Sequence, residues 1–152
     1  MVEDQNFHKV KKIIYVLTLL LVFGSKSYSQ NFKLEKLVKL DEPWGSSFIN
    51  DREIIVTEKS GKIKIVNILS KEIKEISHQL NFVVHGQGGL LDIIHKDNYI
   101  WISYTEDRGG YKTSTSIARA EFNKKQLNFK NIFQANPPID SGYHFGSRLV
   151  LS

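Results

Sequence analysis

The 152-residue chain has no cysteine, one methionine and three prolines. Without a thiol there is no thiolate nucleophile, no iron–sulfur cluster, no cysteine zinc site and no disulfide. An oxidising compartment is compatible with that absence but is not required by it. Strong charge of one sign is also missing. Lys and Arg number 21 against 16 Asp and Glu, a net charge of +5, of which +2 sits in residues 1–29 and +3 in the remainder. The remaining lysines are scattered among acidic residues and do not alternate with aromatics. The electrostatic footprint of a nucleic-acid binder is therefore lacking, and nucleic acid is set aside as a partner. With 24% charged and 41% hydrophobic residues, the composition is that of a globular chain with one core at most.

One long apolar run is present, Ile13 to Phe23, broken only by Thr18. A basic stretch ending in Lys11-Lys12 precedes it, and Gly24 and the small residues around Ser27-Tyr28-Ser29 follow. This is the layout of a secretory signal peptide over residues 1–29, which predicts a periplasmic or secreted protein. Eleven residues of helix, rising about 1.5 Å each, cover roughly half of a bilayer core. With no cysteine after the run, a lipid anchor on a thiol is excluded. An uncleaved anchor and a buried core helix are the other readings of the run, and both fit the basic flank and the small residues less well.

From Pro43 onward apolar residues recur with a period near two, in short runs separated by turn residues, the signature of strands. The first set is Trp44 to Ile49, Glu53 to Glu58, Lys62 to Asn67 and Lys71 to Ser77. In its third strand, Ile63 and Ile65 share one face and lysines the other. The second set is Gly89 to Ile94, Tyr99 to Tyr104, Ser114 to Phe122 and Leu127 to Phe133. A third begins at Gly146 and runs to Leu151. Gly45, Gly89 and Gly146 open the sets at spacings of 44 and 57 residues, near the ~40 to 50 of propeller blades. The expected fold is all-β: a partial β-propeller of about two four-stranded blades and a stub, too few to close the ring. A small eight-stranded barrel or sandwich is the alternative.

Two loops ahead of inner strands carry chemistry. In His85-Gly86-Gln87-Gly88-Gly89, a side chain that both donates and accepts hydrogen bonds sits between glycines that let the backbone approach a ligand. A solvated turn fits the same spacing. His144 occupies the equivalent place in Tyr143-His144-Phe145-Gly146-Ser147-Arg148. An imidazole can take a proton from a bound hydroxyl near neutral pH, though a lone loop histidine is more often structural. Adjacent blades would aim Gln87 and His144 at one pocket. Arg148 is expected to face the channel or to pair with a carboxylate in the sheet. His85 and His95 lack a third ligand at metal spacing, and no G-x-S-x-G elbow is present. Glu106 to Gly110 reads as a solvated turn.

In order, Pro43-Trp44-Gly45-Ser46-Ser47-Phe48, Ile55 to Ile63, Gly86-Gln87-Gly88-Gly89-Leu90-Leu91-Asp92 and His144 to Val150 resemble the start of the soluble glucose/sorbosone, or aldose sugar, dehydrogenases that use pyrroloquinoline quinone. The resemblance covers residues from about Pro43 to the end of the chain. It implies a six-bladed propeller and an exported oxidoreductase whose substrate is an aldose sugar. It also implies a bound pyrroloquinoline quinone, and calcium ions that bind the cofactor and support a homodimer in some members. By the same resemblance His144 is the base that takes the proton of the anomeric hydroxyl as hydride passes to the quinone, with Ser147 as one extra residue before Arg148. Gln87 matches the glutamine lining the cofactor and sugar pocket. The remaining cofactor ligands and all calcium ligands are expected beyond Ser152, so residues 30–152 alone are expected to be inactive, as the N-terminal part of a longer propeller. The electron acceptor is expected to be a cytochrome or a membrane quinone. A non-enzymatic propeller of the same superfamily, binding a partner or a carbohydrate, is the alternative function.

Overall fold

The computed structural model describes residues 8–12, 14–15 and 32–151. Residues 8–12 and 14–15 are helical. Most of the apolar run and the small-residue end of the expected export signal lie outside the described residues. No helix among the described residues is long and apolar enough to cross a membrane. The chain divides into Met1–Glu35 and Lys36–Ser152, and the second unit carries the β-structure.

The described residues form nine strands: β1 (Pro43–Asn50), β2 (Glu53–Glu58), β3 (Ile63–Asn67), β4 (Ile73–His78), β5 (Leu90–Lys96), β6 (Tyr99–Asp107), β7 (Thr113–Glu121), β8 (Gln126–Leu127) and β9 (Lys130–Gln134). They form two sheets, ordered β1-β2-β3-β4-β8 and β5-β6-β7-β9. Within each, successive strands pair antiparallel as a meander, as the period-two runs predict. The β5–β6 hairpin shows why its turn residues are where they are. Lys96 pairs with Tyr99, and the two residues between them, Asp97 and Asn98, both have positive φ, 51° and 64°. A tight hairpin turn demands that conformation twice, and Asp and Asn adopt it at little cost.

The two sheets pack face to face through Ile55, Ile63, Ile65 and Ile76 on one side and Leu90, Ile93, Ile100 and Ile102 on the other, all but fully buried. Each such side chain stabilises the fold by about 1.5–3 kcal/mol relative to leaving it in water. The expected face of Ile63 and Ile65 is therefore the core face. Lys64, on the opposite face of β3, pairs at 2.7 Å with the fully buried Glu58 of β2. Burial pushes the Glu58 carboxyl up, but the Lys64 ammonium and the Asp41 N–H outweigh it and hold the group below its ordinary value.

Two expected strands differ. The run Leu127 to Phe133 is not one strand: its start pairs parallel with β4 as β8, and its end pairs with β7 as β9. Between them the chain crosses from one sheet to the other, because Leu127 and Phe129 are drawn into the core. Phe129 loses its ladder partners there, and the Gln79 amide replaces both. Its Nε2 donates to the Phe129 carbonyl at 3.0 Å and its Oε1 accepts from the Phe129 N–H at 3.3 Å. The second difference is Gly146 to Leu151, which adopts no strand and lies on side-chain contacts instead of a ladder.

Glu106 corrects a third expectation. It belongs to β6, on the same alternate as Ile100, Ile102 and Tyr104, and is buried, not part of a solvated turn. Ser116 Oγ donates to it at 2.6 Å, and Asn131 and Gln134 donate at 2.8 and 2.7 Å. Tyr104 donates its hydroxyl to Asn131 Oδ1 at 2.5 Å. Burial, and then the Glu106 charge, push the Tyr104 hydroxyl up to about 12, against a smaller pull downward from Asn131. Between the ordinary tyrosine value of about 10 and 12, the unfolded chain releases this proton while the folded chain keeps it. Stability is therefore present below about pH 10 and lost as pH rises through 12. Urea unfolding across this window is expected to show that loss in the wild type and a flatter profile in Tyr104→Phe. Equal slopes would contradict it.

Candidate active-site rim

Two loops meet at the end of the sheets where β5 begins. The first, residues 85–89, folds on itself through the Gly88 N–H and the His85 carbonyl at 2.8 Å. It docks on the second through the Gln87 N–H and the Gly142 carbonyl at 2.7 Å. Glycine is required at this junction. Gly86 has a φ of 57°, and a Cβ there would lie 2.3 Å from the Gly142 carbonyl oxygen. A Cβ on Gly142 would in turn meet the His85 ring at 2.7 Å. Backbone can approach backbone this closely only without side chains.

The docking brings the two sequence-predicted residues together. The His144 backbone N–H donates to Gln87 Oε1 at 3.0 Å, across 57 residues of chain. His144 itself has a φ of 65°, the left-handed region that a non-glycine residue enters only when its surroundings require it. Both side chains are exposed at the rim. Gln87 thus spends its acceptor on holding the His144 backbone, and its Nε2 remains as a donor facing solvent.

Arg148 resolves toward the sheet alternative. Its Nη1 lies 3.5 Å from both carboxylate oxygens of Asp92, which is buried, while the Arg148 side chain is 81% exposed. An ion pair this long and this wet contributes little. The firmer bond from Asp92 goes to the chain beside it: Oδ2 accepts the Leu149 N–H at 2.8 Å.

The remaining histidines of this unit do other work. His78 Nε2 lies 2.7 Å from the Gly61 carbonyl oxygen, and its ring packs near Phe82 and Phe129. His95 packs edge-on against Phe122. His85 lines an open cleft of about 440 Å³ with Tyr111, Asp107 and Asp140. Among the described residues no group of three His, Cys, Asp or Glu side chains is placed to hold a metal ion. Sequence reasoning missed Asp92, Ser103 and Glu106. Asp92 stood only as the last residue of the Gly86–Asp92 motif, and strand alternation was the signal that puts Glu106 on the core side with Tyr104.

Comparison with known proteins places the chain in a family. Residues 40–152 match the family described as Glucose / Sorbosone dehydrogenase. The chain is 30% identical over 121 residues to the aldose sugar dehydrogenase YliI of Escherichia coli K12, covering 74% of this chain and 33% of that protein. The apo crystal structure of the soluble aldose sugar dehydrogenase of Escherichia coli superposes with a TM-score of 0.68 at 29% identity, over 74% of this chain and 35% of the other. The PQQ-bound aldose sugar dehydrogenase of Streptomyces coelicolor shares the fold, with a TM-score of 0.59 at 20% identity over 68% and 34% of the two chains. The chain spans about a third of the length of the curated relatives it matches. With the family description matched over most of the chain, and with the fold shared with a solved relative at 29% identity, this chain belongs to the glucose/sorbosone dehydrogenase family.

Proposed function

We propose that the protein containing this chain is an exported dehydrogenase that oxidises the anomeric hydroxyl of aldose sugars, with pyrroloquinoline quinone as cofactor. The observation that carries this reading is the contact between Gln87 and His144, two motif residues held at one rim by a hydrogen bond of 3.0 Å. The names of the relatives, aldose sugar dehydrogenase among them, support the sugar substrate.

The residues present fit a carboxylated quinone at one edge. Gln87 Nε2 offers an amide donor suited to the carbonyl and carboxylate oxygens of such a group. When bound, the quinone supplies the two-electron acceptor for the hydride leaving C1 of the sugar. His144 takes the proton of the C1 hydroxyl onto an imidazole nitrogen, so that the sugar loses one proton and one hydride and becomes the lactone. Gln87 fixes the backbone from which that imidazole projects. Calcium ligands and the other cofactor contacts would belong to the parts of the family fold that this chain, about a third of its relatives' length, does not span. A cytochrome or a membrane quinone would take the electrons onward, and the full-length protein would assemble as a homodimer. The export signal over residues 1–29 would deliver it to the periplasm or the medium.

Dye-linked aldose oxidation by the full-length protein, with quinone and calcium supplied, tests the reading. His144→Gln is expected to lower kcat by about a hundredfold or more. Activity unchanged by the substitution removes His144 from the mechanism, and an inert wild type moves the assignment to a binding propeller. Residues 30–152 alone are expected to show no oxidation under the same conditions, since one edge of a site does not hold the cofactor. Turnover by that piece would contradict the division of the site.

A further inference from the structure

The inner strand of each sheet breaks register at the same place. Pairing between β1 and β2 shifts between Pro43 and Ser46, and pairing between β5 and β6 shifts between Leu90 and Ile93. Such a shift turns a backbone N–H out of the ladder, and the buried group must find another acceptor. In the first sheet the Gly45 N–H donates to Thr57 Oγ1 at 3.0 Å, and that hydroxyl donates to the Leu91 carbonyl of the second sheet at 2.5 Å. In the second sheet the Asp92 N–H donates to Ser103 Oγ at 3.0 Å, and that hydroxyl donates to the Ser147 carbonyl at 2.6 Å. Thr57 and Ser103 are both buried, on β2 and β6, the second strand of their sheets. Each hydroxyl accepts the stray amide of its own inner strand and binds the next inner segment with its proton.

The second of these relays acts on the segment that carries His144. Residues 144–151 lie in no strand, so no ladder fixes their height over the rim. Three bonds fix it instead: Gln87 Oε1 at the His144 N–H, Ser103 Oγ at the Ser147 carbonyl and Asp92 Oδ2 at the Leu149 N–H. The bond from Gln87 is exposed and competes with water. The Ser103 hydroxyl is buried, where a hydrogen bond is stronger and an unmade one costs more.

We propose that Ser103 is a positioning residue for His144, its hydroxyl setting the place of the histidine loop through the Ser147 carbonyl. The inference rests on the proposed use of His144 as the base. A base displaced by about 1 Å can lose about a hundredfold in rate, so one buried hydroxyl that grips the chain three residues beyond His144 is enough to matter.

The test uses the full-length protein with Ser103→Ala, Ser103→Thr and Thr57→Ala. Ser103→Ala is expected to lower kcat about tenfold with KM for the sugar unchanged. Ser103→Thr is expected to restore kcat, because threonine makes the same two bonds in the first sheet. Thr57→Ala removes the hydroxyl one link further from His144, since the Leu91 carbonyl it binds and the Asp92 N–H on Ser103 belong to one peptide, and it is expected to lower kcat less than Ser103→Ala does. A wild-type kcat in Ser103→Ala, or an equal loss in Thr57→Ala, would overturn the assignment. Should Ser103→Ala fail to fold, Ser103→Cys keeps the shape with a weaker donor and is read the same way. Hydrogen exchange at the His144 amide decides the relay without any turnover: about tenfold faster in Ser103→Ala and restored in Ser103→Thr. Unchanged exchange overturns the relay, whereas a full-length protein that oxidises no aldose overturns the proposed function alone.

Discussion

A sheet that is apolar on one face must bury that face, and in this chain each of two meanders does so against the other. The isoleucines of β2, β3 and β4 meet those of β5 and β6 with almost no exposed surface. That contact sets the spacing of the two inner strands, β1 and β5. It also sets the level at which the loop before β5 emerges at the rim. Gln87 reaches the His144 backbone only because its loop leaves the buried Leu90 at a fixed height.

The polar groups inside the fold follow from the same packing. Once the sheets exclude water, every backbone group that leaves the ladder has to be met by a side chain. Gln79 does this where the chain crosses between sheets at Phe129, and Thr57 and Ser103 do it where the inner strands shift register. Glu106 remains buried because three donors surround its two oxygens. These are costs of the fold that side chains meet locally, and at Ser103 the same bond is turned to a second use at the rim.

The strands and turns were readable because they rest on local rules. Alternation marks one buried face, and Asp97-Asn98 marks a tight turn. The meeting of Gln87 and His144 was readable from their equivalent places before successive inner segments. What the sequence concealed depends on contacts far along the chain. The break at Phe129 arises because the core claims two side chains from a run that otherwise looks like one strand. Residues 146–151 carry a strand pattern, but a strand also needs a ladder partner, and none of the described residues provides one. Ser103 and Asp92 sit in runs whose apolar neighbours hide them, and their role appears only once the sheets are stacked.

The central claim is that Gln87 and the buried relay present the His144 imidazole to the reacting hydroxyl. A crystal structure of the full-length protein with quinone, calcium and a bound aldose measures this directly. The account predicts an imidazole nitrogen of His144 within hydrogen-bonding distance of the sugar's anomeric oxygen, with the His144 N–H still on Gln87 Oε1. A sugar bound elsewhere, or a His144 side chain turned away from that oxygen, would contradict it.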